Sequence, residues 1–79
     1  YPNPFNPTTE ISFSLQNGGH ANLTVYNIRG QKVATLADRV FGAGTHTIKW
    51  DASAMSSGVY FYQLKSGEFT EKKKMILLK

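Results

Sequence analysis

The chain has 79 residues, of which 41% are hydrophobic and 18% charged, and its nine Lys and Arg against five Asp and Glu give a net charge of +4. The apolar share excludes a disordered chain, and the absence of cysteine excludes a disulfide scaffold, a thiolate nucleophile and a Cys-ligated zinc site. No apolar run approaches the roughly 18 residues of a membrane helix. A domain of this size buries only about 60% of its unfolded surface, which argues against a large buried catalytic pocket and a free-standing enzyme. Because residue 1 is Tyr rather than Met, we expect a single domain, residues 1–79, excised from a larger protein.

The N-terminal segment YPNPFNPTT contains all three prolines of the chain. Proline fixes φ and lacks an amide hydrogen, so this segment cannot form a helix. Asn3 and Asn6 each precede a proline and favour turns. Since Tyr1 and Phe5 offer aromatic surface, we predict that the segment is extended and packs onto the domain.

The rest of the chain shows short runs in which apolar and polar residues alternate, and no stretch has a helical period over about ten residues. We therefore predict an all-β sandwich of about six to seven strands, with the first and last strands at the edges. Gly30 is expected at positive φ in a tight turn. In chain order, the first predicted elements are a strand with Ile11, Phe13 and Leu15 on one face, a turn over 17–19, a strand with Leu23 and Val25 on one face, and the turn over 27–30. A strand over 32–36 and a loop over 37–44 follow, and then a strand with His46, Ile48 and Trp50 on one face. The last predicted elements are a loop over 51–57, a strand over 59–65 opened by Gly58, a turn over 66–67 and a strand over 69–78.

The residues of common catalytic and metal sites are sparse. The five acids occur without a spacing that pairs them, and His20 is predicted in a turn while His46 begins a strand. A metal site on both histidines would need a third ligand, and we favour His46 as a partly buried strand residue. Neither a Ser57–His46–Asp51 site nor a phosphate loop at Gly42-Ala43-Gly44 has a supporting sequence context.

The aromatic side chains allow two interpretations. A flat platform that stacks on sugars could be built from Trp50, Tyr26, Tyr60, Phe61 and Tyr62. A small domain also needs its large side chains in the core, and we favour the core for Trp50 and Tyr60. Nucleic-acid binding is disfavoured because the basic run of the chain is set apart from the aromatic strand.

The C-terminal KKKMILLK is the most unusual segment of the chain. As structure, it predicts a charged edge strand whose lysines deter edge pairing, followed by a hydrophobic end packed on the sheet. As function, a basic and then apolar terminus is a segment that a receptor can capture, for instance by strand addition. The sequence of this segment leaves both the structural and the functional interpretation open.

Five blocks occur in a fixed order along the chain: YPNPFNPTTEISFSL, VYNIRGQKVATL, AGTHTIKWDA, SGVYFYQL and KKKMILLK. Together they resemble the type A C-terminal sorting domain of type IX secretion substrates, a class of Bacteroidota, Chlorobi and related Gram-negative bacteria. The resemblance covers essentially the whole chain. The family's motifs fall on Pro2, Asn3, Pro4, Phe5 and Asn6, on Gly30, Gln31 and Val33, on Gly58 and Tyr60, and on Lys73, Lys74, Leu77, Leu78 and Lys79.

The resemblance implies a small immunoglobulin-like antiparallel β-sandwich that acts as a non-catalytic sorting signal without a cofactor. It implies an N-terminal passenger that is routed through the periplasm and across the outer membrane to the cell surface or the medium. The implied partners are the type IX outer-membrane translocon and a sortase-like surface protease that cleaves upstream of the domain, with no nucleic acid and no direct membrane insertion.

We expect the secretion machinery to recognise chiefly the C-terminal segment and secondarily the PNP motif. The predicted recognition residues are Lys72, Lys73, Lys74, Met75, Leu77, Leu78 and Lys79, with Pro2, Asn3 and Pro4. The predicted structural residues are Phe5, Asn6, Gly30, Gln31, Gly44, Trp50, Asp51, Gly58 and Tyr60.

Two other functions remain open on sequence grounds. A carbohydrate-binding module of a glycoside hydrolase predicts exposed, coplanar Trp50 and Tyr side chains. A structural immunoglobulin-like spacer predicts that loss of the last eight residues lowers stability but leaves export intact.

Overall fold

A computed structural model describes residues 8–78 and confirms the all-β prediction. Six strands form two sheets: β1 (Thr8–Leu15), β2 (Gly19–Asn27), β3 (Lys32–Phe41), β4 (Gly44–Asp51), β5 (Gly58–Ser66) and β6 (Phe69–Leu77). β1 and β4 make a two-stranded antiparallel sheet, and the other four make an antiparallel sheet in the order β3-β2-β5-β6. The first and last strands therefore lie at sheet edges, as expected.

The core lies between the two sheets because each strand turns one set of alternating side chains inward. One cluster joins Ile11, Phe13 and Leu15 of β1 to Leu23 of β2 and Leu64 of β5. A second cluster lies toward the other end of the strands and consists of Val25, Trp50, Ala52, Tyr60 and Leu77. The apolar alternation read in the sequence is thus what holds the small sheet on the large one.

The predicted loop over 37–44 is wrong, because β3 continues to Phe41 and only Gly42 and Ala43 separate it from β4. Ala37 and Phe41 are buried, and residues 37–41 pair with residues 19–23 of β2. β2 likewise begins at Gly19, so His20 lies in a strand rather than a turn. Pairing between distant segments outweighs the weak strand preference of the Asp-Arg pair in this stretch.

The β2–β3 turn confirms the expected positive φ of Gly30, which is +83°. The Gly30 amide donates to the Asn27 carbonyl at 2.9 Å, and the Asn27 side-chain oxygen accepts the amides of Arg29 and Gln31 at 2.9 and 3.0 Å. An L-residue at this φ is strained, because its Cβ crowds the adjoining backbone.

Gly30→Ala is expected to lower the free energy of unfolding by about 1–2 kcal/mol, because the added Cβ is strained at this φ. Gly42→Ala is the matched control, since Gly42 lacks that φ and a Cβ there meets no atom within 4 Å. Urea unfolding followed by Trp50 fluorescence measures both. Equal losses for the two variants would contradict the strain argument.

Candidate functional site

The C-terminal strand β6 is the feature on which the sequence analysis placed recognition. β6 pairs along its whole length with β5, with Tyr60 opposite Met75 and Gly58 opposite Leu77. Among residues 8–78 no strand pairs with its other edge. Lys72, Lys73 and Lys74 sit in the middle of this open edge strand, where lysines discourage unwanted pairing.

Alternation along β6 divides the basic and apolar segment between two faces. Leu77 is only 8% exposed and belongs to the second core cluster, and Met75 packs against both clusters. Lys73 lies on the same side as these two, with its Nζ 3.6 Å from Glu71 Oε2. Met75 and Leu77 are therefore committed to the core, and Lys73 is paired with Glu71 beside them.

The other half of β6 faces away from the core on the outer side of the four-stranded sheet. Lys72 and Lys74 are exposed there, and Ile76 is 63% exposed. Ile76 is not among the predicted recognition residues, although the two-residue period of the strand places it on the same face as Lys74. Leu78 follows the strand and is also exposed.

The outer side also brings lysines and aromatic rings together, which corrects the expectation that they are set apart. Lys74 lies directly opposite Phe61 of β5, and Phe61 lies opposite Tyr26 of β2. The Lys72 ammonium is 5.9 Å from the centre of the Tyr26 ring, within the range of a cation–π contact. The Tyr26 hydroxyl donates to Gln63 Oε1 at 3.3 Å. The sequence did not predict this proximity of lysines and aromatic rings, because the proximity depends on the register of three strands.

The predicted structural residues that are described occupy turns, strand starts and the core. Gln31 closes the β2–β3 turn, where its side-chain oxygen accepts a hydrogen bond from Asn27 Nδ2 at 2.9 Å. Gly44 opens β4 and Gly58 opens β5. Asp51 Oδ1 accepts the Ser53 amide at 3.0 Å, as expected for its loop. The remaining predicted residues Pro2, Asn3, Pro4, Phe5, Asn6 and Lys79, with the packing expected of Tyr1, lie outside the described residues.

The five aromatics of the sugar-platform alternative do not share one surface. Trp50 is 5% exposed and meets Tyr60 edge-to-face, with ring centres 5.6 Å apart. The Tyr60 hydroxyl donates to the Ser56 carbonyl at 2.8 Å, and Tyr62 packs against both core clusters. Only Tyr26 and Phe61 point outward, so the core interpretation of Trp50 and Tyr60 is confirmed and the platform is not formed.

The histidines serve local packing and polar contacts. His46 is partly buried, as expected, with its ring centre 5.6 Å from that of Phe13 and 4.9 Å from that of Phe41. Its Nε2 is 2.7 Å from the Gly42 carbonyl oxygen, and His20 Nε2 is 2.7 Å from Asp38 Oδ1 on the exposed side. His46 and Asp51 lie on opposite faces of β4, so they cannot form part of a Ser–His–Asp arrangement.

Metal-binding clusters and membrane-spanning helices are both absent from residues 8–78. No group of three or more His, Asp or Glu within this range is placed to hold a metal ion. The same residues include no helix with the length and apolar character needed to cross a membrane.

Comparison with known protein families gives a match over nearly the whole chain. Residues 1–78 match the model of the family described as secretion system C-terminal sorting domain. No curated protein and no solved structure matches the chain. The match spans nearly all of the chain, and therefore includes both the core-facing and the outward-facing residues of β6.

Proposed function

The chain belongs to the secretion system C-terminal sorting domain family, and from this premise we propose that the outward half of β6 is the part of the sorting signal that the type IX machinery contacts. Membership gives the general role, a C-terminal sorting signal for type IX secretion, in a family that is non-catalytic in general. It also implies export across the outer membrane to the surface or the extracellular space. The sugar-binding alternative is not favoured.

The single observation that supports the proposed contact is the division of side chains along β6. Lys72, Lys74 and Ile76 are exposed on one face, whereas Leu77 is buried on the other. A receptor that meets the folded domain reaches only side chains that do not hold the core. The proposed signal is therefore a folded surface, in which the inward residues act by keeping β6 in register.

The proposal includes the partners that the resemblance implies. The domain, as one unit of residues 1–79, follows an N-terminal passenger through the periplasm and presents β6 to the outer-membrane translocon. A sortase-like surface protease then separates the passenger from the domain. The PNP motif is proposed as a second contact with the machinery, and this part of the proposal rests on the sequence pattern alone. The domain itself performs no reaction in this proposal.

Charge reversal on the outward face of β6 tests the proposed contact. The whole chain is fused behind a signal peptide and a fluorescent reporter in a type IX-competent bacterium and in a translocon-disabled strain. Lys72→Glu with Lys74→Glu is expected to lower surface reporter about tenfold, because the two ammonium groups would be replaced by repelling carboxylates.

Lys49→Glu is the control, because Lys49 is an exposed lysine on β4 of the other sheet. Thermal unfolding of each purified variant verifies that the domain remains folded. Surface reporter that persists in the translocon-disabled strain would overturn the sorting role. Surface reporter unchanged by the double reversal would overturn the proposed contact alone.

A further inference from the structure

One row of side chains crosses all four strands of the large sheet. Lys32 of β3 pairs with Tyr26 of β2, Tyr26 with Phe61 of β5, and Phe61 with Lys74 of β6. Two aromatic rings thus lie at the centre of the sheet, with a lysine at each end of the row. Because Tyr26 and Lys32 are far in sequence from Phe61 and Lys74, only the folded sheet assembles this row.

Two more lysines lie beside this row on the same side of the sheet. Gln63 of β5 pairs with Lys72 of β6, and Asn22 of β2 pairs with Lys65 of β5. We call the surface formed by Tyr26, Lys32, Phe61, Lys65, Lys72 and Lys74 the outer basic face. Its lysines come from three strands, and two of them, Lys32 and Lys65, lie outside the C-terminal segment.

The positive charge of the outer basic face is not neutralised within residues 8–78. None of its four lysines forms an ion pair there, since the pairs in this range are His20–Asp38 and Glu71–Lys73. Among the strand residues of this sheet within 8–78, Asp38 is the acid on the same side, and its Oδ1 lies 2.7 Å from His20 Nε2. Four like charges around an apolar centre attract an acidic partner and repel a basic one.

The face is grooved as well as charged. A groove of about 350 Å³ runs beside Tyr26, Phe61, Gln63 and Lys72. Another of about 430 Å³ lies on the other side of Tyr26 and is lined by Lys32 and Lys65. Aromatic side chains at the centre with charged groups at the rim are typical of protein–protein contacts.

We propose that the outer basic face docks an acidic protein surface of the export machinery, whose carboxylates meet the four lysines around Tyr26 and Phe61. This inference rests on the proposed function and extends its contact from β6 across the whole sheet. The partner is defined by clustered Asp and Glu side chains beside apolar ones.

A protein partner fits this face better than a nucleic acid does. The Lys72 ammonium lies 5.9 Å from the centre of the Tyr26 ring, so a base that stacks on that side of the ring has to displace it. Arginine, which stacks on bases and grips phosphate with two parallel hydrogen bonds, is absent from the face. Arg39 lies over the Phe41 ring, 4.0 Å from its centre, and Arg29 lies in the β2–β3 turn.

The test uses the two lysines that do not belong to β6. In the fusion described above, Lys32→Glu with Lys65→Glu is expected to lower surface reporter about tenfold relative to Lys49→Glu. Lys32→Gln with Lys65→Gln removes the charges without adding carboxylates, and should give a smaller loss in the same direction. If the Glu pair unfolds the domain, the Gln pair decides the result.

A photoreactive side chain identifies what touches the face. Placed at exposed Thr35 of β3, which pairs with Thr24, it is expected to cross-link to a segment of a machinery protein rich in Asp and Glu. Placed at Thr47 on the outer side of β4, it should not form that cross-link.

The possible failures are distinguishable. Translocon-independent export of the unsubstituted fusion would overturn the proposed function itself. Translocon-dependent export that neither lysine pair reduces would overturn the docking face and leave the sorting role intact. Cross-linking to a segment without clustered acids would also overturn the docking face. So would salt-sensitive binding of a labelled single-stranded oligonucleotide that Lys32→Gln with Lys65→Gln abolishes.

Discussion

Leu77→Ala is expected to lower the free energy of unfolding by about 3 kcal/mol, whereas Ile76→Ala, one residue away, should change it by less than about 0.5 kcal/mol. Leu77 is 8% exposed in the cluster that contains Trp50 and Tyr60, and Ile76 is 63% exposed. Truncating Leu77 leaves a cavity between the sheets. Truncating Ile76, which lies opposite Val59 of β5 on the exposed face, leaves no cavity in the core.

Urea unfolding followed by Trp50 fluorescence measures both changes, since Trp50 reports directly on the second cluster. At a temperature where both variants are folded, Ile76→Ala is expected to reduce export more than Leu77→Ala does. Ile76→Ala should reduce surface reporter by removing a contact of the outward face. Similar losses of stability from the two substitutions would contradict the alternation of β6.

This pair of residues also shows why deletion of the C-terminal segment is a poor test of recognition. Removing residues 72–79 would take away most of a strand that pairs with β5, together with the buried side chain of Leu77. The domain would lose sheet and core at once, so failed export could come from unfolding rather than from a lost contact with the machinery. Substitutions on the outward face leave the fold in place and distinguish them.

The alternation of apolar and polar residues was enough to predict most of the strands, because in these segments strand pairing stabilises the extended conformation that the local sequence already favours. Ile11, Phe13 and Leu15 alternate with serines, and all three are buried in β1. β3 shows where local pattern fails. Its second half includes Asp38 and Arg39, which favour strands weakly, and it is extended because it pairs with the start of β2.

The candidate site was predictable in its position along the chain but not in its shape. The alternation of Lys72, Lys74 and Ile76 with Lys73, Met75 and Leu77 is visible in the sequence and implies two faces for a strand. The neighbours of each face are not visible there. The approach of Lys32 and Lys74 to the same two aromatic rings depends on strand order and register, which distant contacts determine.

Trp50→Ala is expected to lower the free energy of unfolding by about 3–5 kcal/mol, the largest loss that we expect from a single substitution. Trp50 is 5% exposed and contacts Tyr60 edge-to-face, at the place where β4 of the small sheet meets β5 of the large one. A domain of this length is stabilised by only about 4–12 kcal/mol, so the variant should be partly unfolded near 37 °C. Loss of Trp50 therefore weakens the attachment of one sheet to the other.

Lys49→Ala is the matched control for Trp50→Ala, because Lys49 is the neighbour of Trp50 that points to the opposite, exposed side of β4. Far-UV circular dichroism in urea measures both variants without using the fluorophore that is removed. A Trp50→Ala variant as stable as Lys49→Ala would contradict the burial of Trp50 and reopen the sugar-platform interpretation. The expected result is instead that export falls with the folded fraction, since the lysines of the outer basic face are held in place only by the packed sandwich.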